Sequence, residues 1–257
     1  MEGLLMDDKR IQKLADKENV PIGTIEKDYA VTSILSLIAQ LSKLNKMVFK
    51  GGTAIKKVHF NDFRFSEDID FTCSEDVSED ISILLDGKKH DLDFTVTDIK
   101  KEKTAGNSKK FTVKYNGFKN YPNNVRIDLS LRESVQNKPS NLKVLHDYEE
   151  LPSFSIPSMT KEEIMAEKVR AIIYSGAPRH LYDLNYLFGK GVLLNPQLVQ
   201  TKISLYNDKF SLDKFKESML AMENDWVQDL RSLLPQVPLS FSEVSTEVLK
   251  KTSEVMK

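Results

Sequence analysis

The spacing of apolar residues changes twice along this chain, and those two changes limit its fold more than any other feature. Over residues 7–46 apolar positions recur every three to four residues, the spacing of a buried helix face. Pro21 divides that stretch. Asp7 or Asp8 is placed to cap a short first helix, and a second carries Ile25, Tyr29, Ile34, Leu37, Ile38, Leu41 and Leu44. From 47 to 157 the period falls to two. Met47-Val48-Phe49 is a short apolar run that ends at Gly51-Gly52. Leu92, Phe94 and Val96, then Phe111, Val113 and Tyr115, alternate with polar residues and predict a hairpin with a lysine-rich tip over 100–110. Val125, Ile127, Leu129 and Leu131 predict a further strand, and Pro139, Pro152 and Pro157 punctuate an irregular crossing segment. After 158 the helical period returns. Thr160 with Glu163 forms a capping box for a helix running to about Tyr174, which Gly176 and Pro178 stop. Leu212, Phe215, Met219, Met222, Trp226, Leu230 and Leu233 predict one amphipathic helix over 212–234, and Ser240 with Glu243 caps a last one. The expectation is an α+β fold: a domain of strands with leading helices over 1–157, then a helical bundle over 158–257.

Composition narrows the class. Of 257 residues, 40% are hydrophobic and 29% charged, enough to bury a core and too apolar for a disordered chain. Lys and Arg number 37 against 38 Asp and Glu, so overall charge gives no nucleic-acid signature, although a local basic patch can sit inside a neutral total. The single cysteine, Cys73, excludes an intramolecular disulfide. The opening MEGLLMDDKR lacks the basic and apolar regions of a signal peptide, and no apolar run nears the ~20 residues of a membrane helix. These features predict a soluble, cytoplasmic protein with no membrane partner.

The chemistry-bearing residues gather near the first glycines. Ser66, Asp68, Asp70 and Thr72 alternate with Phe65, Ile69 and Phe71 close by, so in a strand the carboxylates share one face and the apolar side chains reach the core from the other. Two carboxylates on one strand face repel unless a cation lies between them, and Mg²⁺ or Mn²⁺ prefers such oxygen ligands. The strand at 125–131 offers Asp128 as a third ligand if it pairs beside them. Three acids on neighbouring strands suit two-metal phosphoryl or nucleotidyl transfer. Taken alone, a D-x-D pair is ordinary surface charge. Gly51-Gly52-Thr53, between a strand and a helix, allows backbone N–H groups to approach a phosphate, and that combination is much rarer. The G-x-x-x-x-G-K-[ST] loop is absent.

Lys168 lies beside the apolar stripe Met165, Val169, Ile172 and Ile173; it can snorkel outward or turn inward to neutralise phosphate. Asp183 follows Arg179 by four residues, so a helical ion pair is its simple reading, and a general base or an orienter of Lys168 its functional one. Lys100, Lys101, Lys103, Lys109 and Lys110 at the hairpin tip read either as solvated loop charge or as a clamp for a polyanion. His59, His90, His146 and His180 have no zinc-ligand spacing.

Together, KGGTAI at 50–55, RFSEDIDF at 64–71, the Ile127-Asp128-Leu129 strand, KVRAI at 168–172 and RHLYDL at 179–184, with EKDY at 26–29 ahead of them, resemble the AbiEii/AbiGii nucleotidyltransferase toxins of the DNA polymerase β-like superfamily. The resemblance implies a polymerase β-like mixed sheet with flanking helices over 1–157 and a C-terminal helical domain that completes the active site. It implies transfer of NMP from a nucleoside triphosphate, with Mg²⁺ or Mn²⁺, to an acceptor hydroxyl on tRNA or another RNA, by a toxin paired with an antitoxin. By the same resemblance Asp68, Asp70, Lys168 and Asp183 are catalytic, and Asp68, Asp70 and Asp128 face metal. Gly51, Gly52, Thr53, Ser66 and Lys168 would contact the nucleotide. His180 stands where the motif usually has Asp. A nucleotide- or RNA-binding module without chemistry and a metal-dependent phosphohydrolase are the competing readings.

Overall fold

The computed structural model describes residues 8–102, 107–117, 120–236 and 239–256, so the caps expected from Asp7 and the tip lysine Lys103 lie outside the described residues. The chain divides into two compact units, 1–159 and 160–257.

The first unit is built on a seven-stranded mixed sheet. Its strands are β1 (Met47–Lys50), β2 (Asp68–Cys73), β3 (Thr95–Glu102), β4 (Ser108–Asn116), β5 (Pro122–Ser130), β6 (Ser140–Lys143) and β7 (Ser155–Ser158), in the order β3-β4-β5-β2-β1-β7-β6. β2 pairs antiparallel with β1 and parallel with β5, and β1 pairs parallel with β7. The predicted hairpin forms as β3–β4, but Leu92 and Phe94 precede the strand, and a register shift falls between Val96 and Asp98. β6 and β7 occupy the segment expected to be irregular; Pro157 sits inside β7, where the sequence reads as a breaker. Apolar alternation places Ile69, Phe71, Phe111, Val113, Val125, Ile127 and Leu129 in the core.

Helix α1 (Asp8–Glu18) precedes α2 (Ile22–Ile38), with Pro21 at the junction as expected. α2 ends at Ile38, short of Leu41 and Leu44, because i→i+3 turns at Gln40 and Leu41 bend the chain back toward β1. Every residue from Asp28 to Ile38 is buried, so this helix is packed on all sides. The EKDY segment forms its second turn, and each of its residues engages a different part of the unit. The Glu26 carboxylate seats on Gly117, where any Cβ would overlap it. Lys27 Nζ donates to Asn123 Oδ1 (3.2 Å), Asp28 accepts from Lys57 Nζ (2.5 Å) and Tyr148 Oη (2.7 Å), and Tyr29 donates to Asp93 (2.5 Å). A short helix α3 (Gly51–Ala54) continues as a π-helical turn through His59, and α4 (Ser78–Lys88) follows β2.

The second unit holds α5 (Lys161–Tyr174), α6 (Pro178–Gly189), α7 (Pro196–Ser204), α8 (Leu212–Leu220), α9 (Trp226–Leu230) and α10 (Phe241–Val255). Thr160 caps α5 by accepting from Glu163 N–H, and Gly176, at φ +70°, ends it. Ser240 and Glu243 form a reciprocal box at α10. The single helix expected over 212–234 is instead two. Its apolar face is buried as predicted from Phe215 to Leu233, but Glu223-Asn224-Asp225 takes a 3₁₀ turn, since Asn and Asp favour local turns over helix interiors. Trp226 Nε1 donates to Leu239 O (2.9 Å), which anchors the second piece. Beneath the helices, Lys202 is buried between Glu163 (2.7 Å) and Glu167 (3.1 Å). Among the described residues no helix is long and apolar enough to cross a membrane.

Candidate active site

Gly51 follows directly on β1 with φ +81°, a left-handed conformation that L side chains rarely adopt. Its Cα faces the Asp70 carboxylate so closely that a Cβ would overlap Asp70 Oδ2. Gly52 is nearly as tight, since a Cβ there would lie 3.0 Å from Ser66 Oγ and 3.1 Å from an Arg64 guanidinium nitrogen. The two glycines therefore bring bare backbone against Asp70, Ser66 and Arg64. Thr53 ties this turn to β2: its hydroxyl bonds the Asp68 carbonyl and lies 2.9 Å from Ser66 Oγ. A carbonyl only accepts, so the one Thr53 hydrogen goes there and Ser66 supplies the hydrogen between the two hydroxyls. β2 starts at Asp68, so Ser66 precedes the strand that was expected to contain it.

Register puts the acids side by side. Asp70 is opposite Lys50 on β1 and Asp128 on β5, and Asp68 is opposite Arg126. Each of the outer two carboxylates already has a basic partner. Arg126 Nε and Nη2 each lie 2.8 Å from an Asp68 oxygen, a bidentate pair that raises the guanidinium pKa. Asp128 accepts from Ser108 Oγ (3.0 Å) and lies 3.2 Å from Lys110 Nζ. Lys27, at the start of α2, is lowered below the ordinary lysine value by burial, partly offset by Glu67 and Asp68. Behind Asp70, Lys50 is buried with Glu133 at 2.7 Å. Among the described residues no three His, Cys, Asp or Glu side chains lie close enough to hold a metal between them. The donors still suit one: Asp68 and Asp70 offer hard oxygens on one strand face beside an open backbone turn. Mg²⁺ commonly takes one or two carboxylates and completes its shell with water and substrate phosphate.

In the helical unit Lys168 does not snorkel. It is buried in α5, and Asp183 Oδ2 lies 2.7 Å from its ammonium, with side-chain exposures of 7% and 0%. The expected Arg179–Asp183 helical pair does not form in that role; Arg179 instead bonds Asp229 from across the unit (2.9 Å). The hairpin lysines are largely counter-paired: Lys101 with Glu79, Lys109 with Asp76 and Lys110 with Asp128. Cys73 is packed in β2, and burial pushes its thiol up to about 12.

Arg126, Lys50, Glu133 and Lys27 carry no role in the sequence reading. Lys27, Lys50 and Arg64 lie inside the motifs at 26–29, 50–55 and 64–71, and alternation along 125–131 puts Arg126 on the same face as Asp128, the one available signal for it.

The fold resembles solved structures, a nucleotidyltransferase toxin among them. JHP933 from Helicobacter pylori superposes with a TM-score of 0.58 at 19% identity, covering 92% of this chain and 93% of its own. MenT4, a nucleotidyltransferase toxin from Mycobacterium tuberculosis H37Rv, gives a TM-score of 0.68 at 18% identity, covering 98% and 90%. No curated protein matches the chain by sequence. The family described as "Nucleotidyl transferase AbiEii toxin, Type IV TA system" matches residues 33–247, most of the length. With the glycine turn, the paired strand acids and the mixed sheet in place, the chain belongs to the AbiEii family of nucleotidyltransferase toxins.

Proposed function

We propose that this nucleotidyltransferase moves an NMP from a nucleoside triphosphate to an acceptor hydroxyl on RNA, with tRNA as the first candidate, and that an antitoxin restrains it. The observation that carries the reading is the left-handed Gly51 turn set against Asp70, with Asp68 on the same strand face. Bound at Asp68 and Asp70, Mg²⁺ or Mn²⁺ would neutralise the triphosphate and favour ionisation of the attacking hydroxyl.

The chain's own residues do the rest. Gly51 and Gly52 would present backbone N–H groups to a phosphate, and the Ser66 hydroxyl, which donates to Thr53 Oγ1 in the nucleotide-free protein, would turn to it at the same place. Thr53 keeps Ser66 and the start of β2 in position. Asp128, held by Ser108 and Lys110, is the reserve carboxylate of the neighbouring strand. Lys168 and Asp183 enter only through the family motifs that they match, which give Lys168 to triphosphate neutralisation; Asp183 Oδ2, at 2.7 Å, orients its ammonium. Transfer of this kind needs mainly positioning and charge compensation.

The test is incubation of purified protein with α-labelled NTPs, Mg²⁺ or Mn²⁺ and total tRNA. Label in RNA with pyrophosphate released, lost in Asp68→Ala and Asp70→Ala, supports the reading. Free NMP without labelled RNA would mark a hydrolase instead. No turnover despite tight NTP binding would mark a binding module.

A further inference from the structure

Arg126 and Asp68 stand opposite one another on adjacent parallel strands, and both carboxylate oxygens are taken by the guanidinium at 2.8 Å. A divalent cation brought to Asp68 meets that positive group at close range, so the two compete for one carboxylate. The contest is not one-sided. The Arg126 side chain is 61% exposed and the Asp68 side chain 33%, and water weakens a pair held so near the surface. The buried Lys50–Glu133 pair next to Asp70, with exposures of 10% and 2%, has no such freedom.

A guanidinium displaced from Asp68 keeps its charge within reach of the Lys27 ammonium and of the Glu67 and Asp70 carboxylates, and can take a further anion. A planar fork with parallel N–H groups fits phosphate oxygens as well as it fits a carboxylate. The triphosphate that arrives with the cation is such an anion. Arg126 projects from the same strand as Asp128, two residues away, so it is carried on the rigid sheet rather than on a loop.

We propose that Arg126 is an exchange residue: it grips Asp68 in the nucleotide-free protein, then hands that carboxylate to the divalent cation and takes hold of the nucleotide's triphosphate. The proposal rests on the transfer reading above and adds a positioning role for one arginine. Its signature is a pair of opposite effects. Removing Arg126 strengthens binding of the cation alone and weakens binding of the nucleotide with its cation. A merely structural arginine moves both the same way or neither.

Binding of Mn²⁺ alone is measured by paramagnetic resonance, and binding of a non-hydrolysable α,β-methylene NTP with Mg²⁺ by calorimetry. Wild type is compared with Arg126→Ala and Arg126→Gln; the glutamine variant serves if the alanine variant melts early. At least threefold tighter Mn²⁺ binding together with at least tenfold weaker analogue binding supports the exchange. Unchanged affinity for either probe in a folded variant overturns it, while wild-type binding of the analogue leaves the transfer reading intact. Failure of wild type to bind the analogue with any metal removes the transfer reading, and the exchange with it.

Discussion

Replacing Gly51 by alanine tests whether the close approach of backbone to carboxylate is required. Two costs can be worked from the geometry. The left-handed backbone at φ +81° costs a residue with a Cβ about 1–2 kcal/mol. The new Cβ would overlap Asp70 Oδ2, and pushing that side chain off its rotamer costs about 0.5–1.5 kcal/mol more. Together they come to roughly 1.5–3.5 kcal/mol, a sizeable part of the ~5–15 kcal/mol that holds a domain folded. In a unit of this size each kcal/mol lowers the melting midpoint by about 2–4 °C, so a fall of about 3–14 °C is expected by scanning calorimetry. Gly87 in α4 is the matched control, because outside the adjoining helix backbone no atom lies within 4 Å of its would-be Cβ. Alanine there removes the flexibility penalty of a helical glycine, up to about 1 kcal/mol, and raises the midpoint. Gly51→Ala should also lose Mg²⁺-dependent binding of an NTP analogue that Gly87→Ala retains. A Gly51→Ala protein that melts with wild type and binds the analogue normally would refute the reasoning.

Lys50→Met removes the ammonium 2.7 Å from the buried Glu133 carboxylate, so the urea midpoint should fall, and Glu133→Leu added to it should restore part of the loss. Cys73, buried with its thiol pushed up to about 12, should react with a disulfide reagent at pH 8 about a thousandfold more slowly in the native protein than in denaturant; comparable rates would show an exposed thiol. His146 is lowered below the ordinary histidine value by burial, with its Nε2–H donated to Pro152 O at 3.3 Å. Between the lowered native value and the unfolded value near ~6.5 the unfolded chain binds more protons. Stability should therefore decline as pH falls from 7 through 6, and His146→Gln should flatten that slope in urea titrations. An unchanged slope would show that the ring is already open to solvent.

Much of the first unit was legible because strand alternation leaves little choice. Once Ile69 and Phe71 are placed inward, Asp68 and Asp70 must face the other way, and Ile127 and Leu129 fix Asp128 by the same logic. The resemblance in the motifs pointed to the family directly. What stayed hidden depends on stagger and on distant partners. Arg126 meets Asp68 only because β5 pairs with β2 in one particular register across 58 positions. Asp183 prefers Lys168 on another helix to Arg179 one turn away, a choice decided by burial that spacing cannot express. The break at 223–225 was masked by apolar spacing that continues across it, because both pieces bury the same face.

The outermost strands of the sheet end it in two different ways. β3 carries Asp98, Lys100, Lys101 and Glu102 along its length and is kinked by the irregularity at Val96–Asp98, whereas β6 is only four residues long. Neither margin offers a flat, uncharged row of free amides on which another chain could stack. An enzyme whose central sheet has seven members is thereby guarded against zipping up with its own copies.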